Sequence, residues 1–166
     1  AVLVRAGREP GDDIDERFVG LADRIGIDTL AALWRDSEPV SLPGALWALY
    51  LLRLWFHGNA EDVRRLWQAG APLAPADAVV AGVAEPGDIA SVRGVADAVL
   101  GGVYRGDFAV ALKRAAAVFR VVAAGRRFLA DDSARGEVEL ALADRNERVA
   151  ADLAAAARKW RAGRLT

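Results

Sequence analysis

Helix stop and start signals recur along this chain at intervals of about one helix, and they leave little room for any architecture but a helical one. Gly26, Gly58, Gly70 and Gly106 each close a run of apolar residues, because glycine adopts the left-handed cap conformation cheaply. Asp28, Ser41, Asn59 and Asp107 each stand shortly after such a stop or after a Pro, where a short polar side chain can accept from the free N–H groups of the next helix. Between the signals, apolar side chains return at helical spacing, as in Ile14, Phe18, Leu21 and Ile25, or Phe108, Leu112, Ala115, Phe119 and Val122. No run alternates with period two for long enough to make a sheet, apart from an extended stub at Ala1–Val4. With 166 residues, 54 % of them hydrophobic, one packed core is expected. The reading is all-α: a single domain over residues 1–166, built as an orthogonal or antiparallel bundle of about seven helices, with 1–11 as an extended N-terminal segment.

The stretch Leu42–Phe56 is the most apolar. Ser41 caps it and Pro43 sits in its first turn, where a missing N–H costs little. Trp47, Tyr50, Leu51, Leu54 and Trp55 share one face, Ala45, Leu46, Leu52 and Phe56 lie on others, and Arg53 is the only charge. A helix apolar all round is expected to be buried all round, either as the central core helix or with another subunit partly covering it. It is shorter than the roughly 20 residues of a membrane span. Asn59 and Asp62 read as a variant capping box opening a helix to Ala69, which makes residues 42–70 a tight helical hairpin. Further helices are expected over 75–83, from Glu85 to Tyr104, over 108–129 and over 136–162. In the 108–129 helix Lys113, Arg114 and Arg120 fall on the outer side, and Arg126 and Arg127 suit its C-terminus. The last helix shows a heptad-like seam of Val138, Leu142, Val149, Leu153, Ala156 and Trp160, interrupted by Arg145 and Asn146.

The residue inventory excludes much chemistry. There is no cysteine, so disulfides, thiol catalysis and cysteine metal sites are out. His57 is the only histidine, so a metal site would rest mainly on carboxylates. The acidic runs Asp12-Asp13-Asp15-Glu16, Asp131-Asp132 and Glu137-Glu139 match neither the Glu-x-x-His pattern of helical di-iron sites nor a calcium loop, and read as solvated helix starts. Gly101-Gly102 fits no phosphate-binding loop. No metal or cofactor is expected, and no pair of residues stands out as catalytic. There is no methionine, so the chain reads as a processed product or a part of something longer. Lysine stands only at 113 and 159, so 20 of the 22 basic residues are arginine; with the abundant alanine, glycine and valine this points to a high-GC bacterial genome.

Residues 21–33, Leu-Ala-Asp-Arg-Ile-Gly-Ile-Asp-Thr-Leu-Ala-Ala-Leu, resemble the helix–turn–helix of bacterial DNA-binding regulators. Ala22, Gly26 and Ile27 match the small residue, the turn glycine and the apolar residue after it. The resemblance implies a DNA-reading element over 14–36 with Arg35 as its cation. The pattern departs at Ala32, where the family carries an aliphatic side chain, and the second helix bears Asp28 and Asp36 where phosphate contact needs positive charge.

Two groups of residues are candidates for binding. A guanidinium in an apolar helix needs a carboxylate partner, an anionic ligand or a route to solvent, so Arg53 nominates a ligand pocket with Trp47, Tyr50, Trp55 and His57. His57, at a helix C-terminus, reads as a carbonyl cap or, functionally, as a general base. At the other end of the chain Arg158, Trp160 and Arg161 offer a partner-binding surface. Residues 1–100 carry 9 basic and 15 acidic side chains and residues 101–166 carry 13 and 8, so the basic half is suited to an acidic partner or to the acidic half of a second copy. Nucleic acid on this basic end, with Trp160 as a stacking face, is the weaker form of that reading. The expected function is a non-enzymatic protein–protein interaction module of the cytoplasm, as a homo-oligomer or bound to another protein and not in a membrane. The alternatives are a DNA-binding regulator using 14–36 and a small-molecule-binding domain centred on Arg53.

Overall fold

The computed structural model describes residues 32–82, 89–104, 107–131 and 134–166, side chains 100–104 excepted. Among these, residues 32–34 are helical and six α-helices follow: α1 (Leu42–Gly58), α2 (Ala60–Gly70), α3 (Pro75–Ala81), α4 (Ile89–Tyr104), α5 (Phe108–Ala130) and α6 (Gly136–Arg161). A 3-10 turn, Ala71–Leu73, joins α2 to α3. No strand occurs among the described residues, and the elements pack as one helical bundle.

The sequence signals are seen at the helix ends. The Ser41 hydroxyl accepts from Gly44 N at 3.1 Å and donates to the Glu38 carbonyl. Asp107 accepts from Val110 N at 3.1 Å and so opens α5. Gly58 and Gly70 end α1 and α2 where expected but not in the left-handed cap conformation expected of them; that conformation is taken by Gly82, with φ +77, which closes α3. The expected capping box at Asn59 does not form. The Asn59 amide turns back to the Trp55 carbonyl, and Asp62 pairs with Arg65 at 2.9 Å instead. In the same turn Arg64 hydrogen-bonds Glu61 and thereby holds that exposed carboxyl below its ordinary range.

The centre of the bundle is α5, not α1. Fifteen of its 23 residues are buried, and it touches every other element. It is lined with alanine and valine (Ala109, Ala115, Ala116, Val118, Val121 and Val122 among them), so neighbouring helices can approach on every side. Its approach to α2 is close. A Cβ added to Gly70 would run into the Val121 carbonyl, and one added to Gly125 into the Leu66 carbonyl. Beside this crossing the Trp67 indole is 1 % exposed, and its Nε1–H finds no acceptor among the described residues.

Helix α6 folds back antiparallel on α5. Phe108 meets Trp160 edge to face at 4.9 Å at one end of the pair, and Arg127 reaches Glu147 at 3.1 Å near the other. The expected seam holds at Leu153 and Ala156, both buried, and is shifted by about one residue before them: Ala143 and Ala150 are buried in place of Leu142 and Val149, and Val138 is 45 % exposed. At heptad spacing this seam also contains Glu139 and Asn146, which are therefore part of the packing and not an interruption of it.

Helix α3 lies on the side of α5 read as outer. Arg114 donates to the Ala81 carbonyl at 3.3 Å and Arg120 approaches Asp77 at 3.5 Å, so both cations fasten α3. Of that trio Lys113 is exposed, and Arg114 and Arg120 are partly buried.

Candidate functional site

Helix α1 is buried on one side only. Leu42, Ala45, Leu49, Leu52 and Phe56 close against the core, at the i, i+3, i+4, i+7 spacing of a single helical face. The opposite side carries Trp47, Tyr50, Leu51 and Leu54. Leu51 is 41 % and Leu54 47 % exposed, and the half-buried Trp47 and Tyr50 rings stack at 5.6 Å. The expectation of burial all round thus fails: a 17-residue helix laid on the bundle edge has core on one side, and its second apolar face points outward.

The five residues expected to line a pocket part into three groups. Trp47 and Tyr50 belong to the outward stripe. Trp55 turns the other way and lies under the Arg126 guanidinium, 5.3 Å from carbon to ring centre, while its edge meets Phe56. Arg53 and His57 face α4. There His57 Nε2 is 2.9 Å from Asp97 Oδ1, and Arg53 Nε is 4.0 Å from the same oxygen. From the next turn of α4, Arg93 donates to the His57 carbonyl at 3.4 Å, capping the end of α1. The Arg53 and Asp97 side chains are 48 % and 55 % exposed, so this four-residue cluster is a surface feature. His57 is held by a carboxylate and does not itself cap a carbonyl.

Of the outcomes open to Arg53, the structure shows a route to solvent beside the Asp97 carboxylate; the buried guanidinium among the described residues is that of Arg126. Arg126 is 8 % exposed, and it is the one buried charged residue among those described. Its Nη1 donates to Glu139 at 2.7 Å and its Nε to Asn146 at 3.0 Å. Glu139, expected in a solvated helix start, is instead the charge partner that makes burial of Arg126 tolerable. The signal in the sequence was the placement of Glu139 and Asn146 seven apart on the α6 seam.

At the basic end, Arg158, Lys159, Arg161 and Arg164 are exposed and make no ion pair with a described residue. Trp160 between them packs against Phe108, so one edge of its ring is already engaged. The helix–turn–helix resemblance lies mostly outside the described residues. Of its end, Arg35 is exposed with Nε 4.0 Å from Asp36, and Trp34 is buried. Among the described residues no helix is long and apolar enough to cross a membrane, and no group of His, Asp or Glu is arranged to hold a metal. The chain matches no family model, and neither a curated protein nor a solved structure shows significant similarity to it.

Proposed function

We propose that this protein is a non-enzymatic protein–protein interaction module of the cytoplasm, and that the outward face of α1 is its contact surface, covered by a second copy or by a different protein. One observation carries the reading: Leu51 and Leu54 stand exposed beside the stacked Trp47 and Tyr50 on a helix whose other face is already closed core. Fully burying one leucine is worth about 1.5–3 kcal/mol, and among the described residues nothing accounts for leaving two of them outward next to a pair of aromatics. Aromatic side chains with aliphatic neighbours are the usual anchors of protein interfaces.

The test is a paired affinity capture from nuclease-treated lysate of the source organism, using the wild-type protein and the double variant Leu51→Ser/Leu54→Ser. The expected result is a protein, this chain included, retained by the wild type and lost by a variant of unchanged far-ultraviolet circular dichroism. The same set of proteins on both baits would overturn the reading.

A further inference from the structure

We infer that α1 and its edge with α4 dock an amphipathic helix of a different protein, with acidic residues along one side of that helix. The inference rests on the interaction reading above and adds the chemistry of the partner. Trp47, Leu51 and Leu54 form one ridge spanning about 10 Å, the length over which two turns of a crossing helix make contact. Arg53 stands one position before Leu54, about 100° round the helix, and lines up with Tyr50 and His57 along the α4 side of the ridge. The apolar stripe therefore has a charged margin on that side, built from Arg53, His57, Arg93 and Asp97.

That margin has a positive excess. Its one carboxylate, Asp97, is engaged by His57 at 2.9 Å. Arg53, at 4.0 Å, is beyond hydrogen-bond reach of it and makes no hydrogen bond to a described residue. Arg93 spends one N–H on the His57 carbonyl. Two exposed guanidiniums beside an apolar ridge fit a helix with leucine-like side chains on one face and Asp or Glu along the adjoining edge, since Arg pairs with carboxylates in a two-pronged geometry.

The same charges disfavour a second copy. Helix α1 has no acidic residue and the one carboxylate of the margin, Asp97, is already engaged by His57, so self-pairing would set two margins of positive excess against each other. They also disfavour an anionic membrane: recruitment of that kind uses clusters of about four to eight basic residues, and Asp97 would face the lipid charge.

The proposal is tested with two fluorescein-labelled synthetic helices of about five turns, each with a leucine stripe, one with glutamate and the other with lysine along the adjoining edge. Binding is read by anisotropy. Wild-type protein should bind the glutamate helix about fivefold or more tighter than the lysine helix. Arg53→Gln should abolish that preference and Arg53→Glu should reverse it, with thermal melting confirming that both variants fold. Leu51→Ser/Leu54→Ser should weaken both helices. Equal affinity for the two helices, or no response to Arg53, overturns the acidic-edge assignment, while leucine-dependent binding keeps the interaction reading standing. No binding of either helix overturns the assignment too, and the interaction reading falls with it only if the paired capture also fails. A dimer in sedimentation equilibrium, or co-sedimentation with phosphatidylglycerol vesicles, that is lost in the leucine variant would give the face to a second copy or to a membrane and overturn the proposal.

Discussion

Two arginines show what decides whether a charge is buried. Arg53 sits in the most apolar stretch of the chain and ends up half-exposed, because its helix lies at the edge of the bundle and the guanidinium reaches out beside Asp97. Arg126 sits near the end of a helix, where a cation suits the dipole, and is buried because that helix is central. Three helices meet at Arg126: α5 carries it, α6 supplies Glu139 and Asn146, and α1 supplies the Trp55 ring. Removing one partner of such a pair leaves an uncompensated charge. We expect Glu139→Ala to cost about 3 kcal/mol or more in urea unfolding, and Arg126→Met/Glu139→Leu to recover most of that loss. A double variant no more stable than Glu139→Ala would show that the packing, and not the stranded charge, causes the loss. Neither partner was legible from Arg126 alone, because contact between residues 13 and 20 apart requires the hairpin to close with one register.

Helix ends and helix extents were legible, since caps act through neighbours in sequence. Ser41 and Asp107 both act within one turn of their own positions. Faces were legible less evenly. The inward side of α5 was read correctly from Phe108 to Val122, because a strong apolar periodicity in a central helix has one outcome. The seam of α6 holds at Leu153 and Ala156 but is displaced in its first half, because the buried positions there are alanine, which carries little hydrophobic signal, while the larger Val138 and Leu142 lie toward its flank. The crossing of α2 and α5 was not legible at all. Gly70 reads as a helix stop and Gly125 as an ordinary small residue, yet each makes room for the other helix's backbone. Alanine improves an exposed helical glycine by about 0.5–1 kcal/mol, so Gly94→Ala, which meets nothing within 4 Å, should stabilise the protein by that amount. Gly70→Ala and Gly125→Ala should instead destabilise by about 1–3 kcal/mol or more, since the added methyl overlaps a carbonyl. Thermal melting of the three variants reads the contrast, and a common sign would mean that the helices do not cross this closely.

At the scale of the whole molecule the choice of centre governs everything else. Two helices have enough apolar side chains to be the core, α1 and α5. The one with small side chains on all sides takes the middle, because five neighbours can then approach it, and the one with tryptophans and leucines takes the rim. Position on the rim splits α1 into two energetically different faces, and unfolding measurements should separate them. Leu49→Ala and Leu52→Ala, each 1 % exposed, should cost about 2–5 kcal/mol, whereas Leu51→Ser and Leu54→Ser should change stability by less than about 0.5 kcal/mol. Equal losses on both faces would mean that the outward stripe is covered within the chain, which would remove the contact surface proposed for it.

The sequence by itself determined the all-helical class and most helix boundaries among the described residues. Those properties follow from interactions within a few residues: caps, glycine stops and a 3.6-residue period. Only the tertiary structure decided that α5 is central and that α1 keeps an apolar face outward. It also decided that Arg126, and not Arg53, is the buried cation, and that His57 meets Asp97 beside two arginines. Each of those outcomes depends on which helices compete for the same neighbour and in what register. That competition is settled by packing between segments far apart in the chain, where the local pattern of a helix does not reveal which of its faces will find a partner.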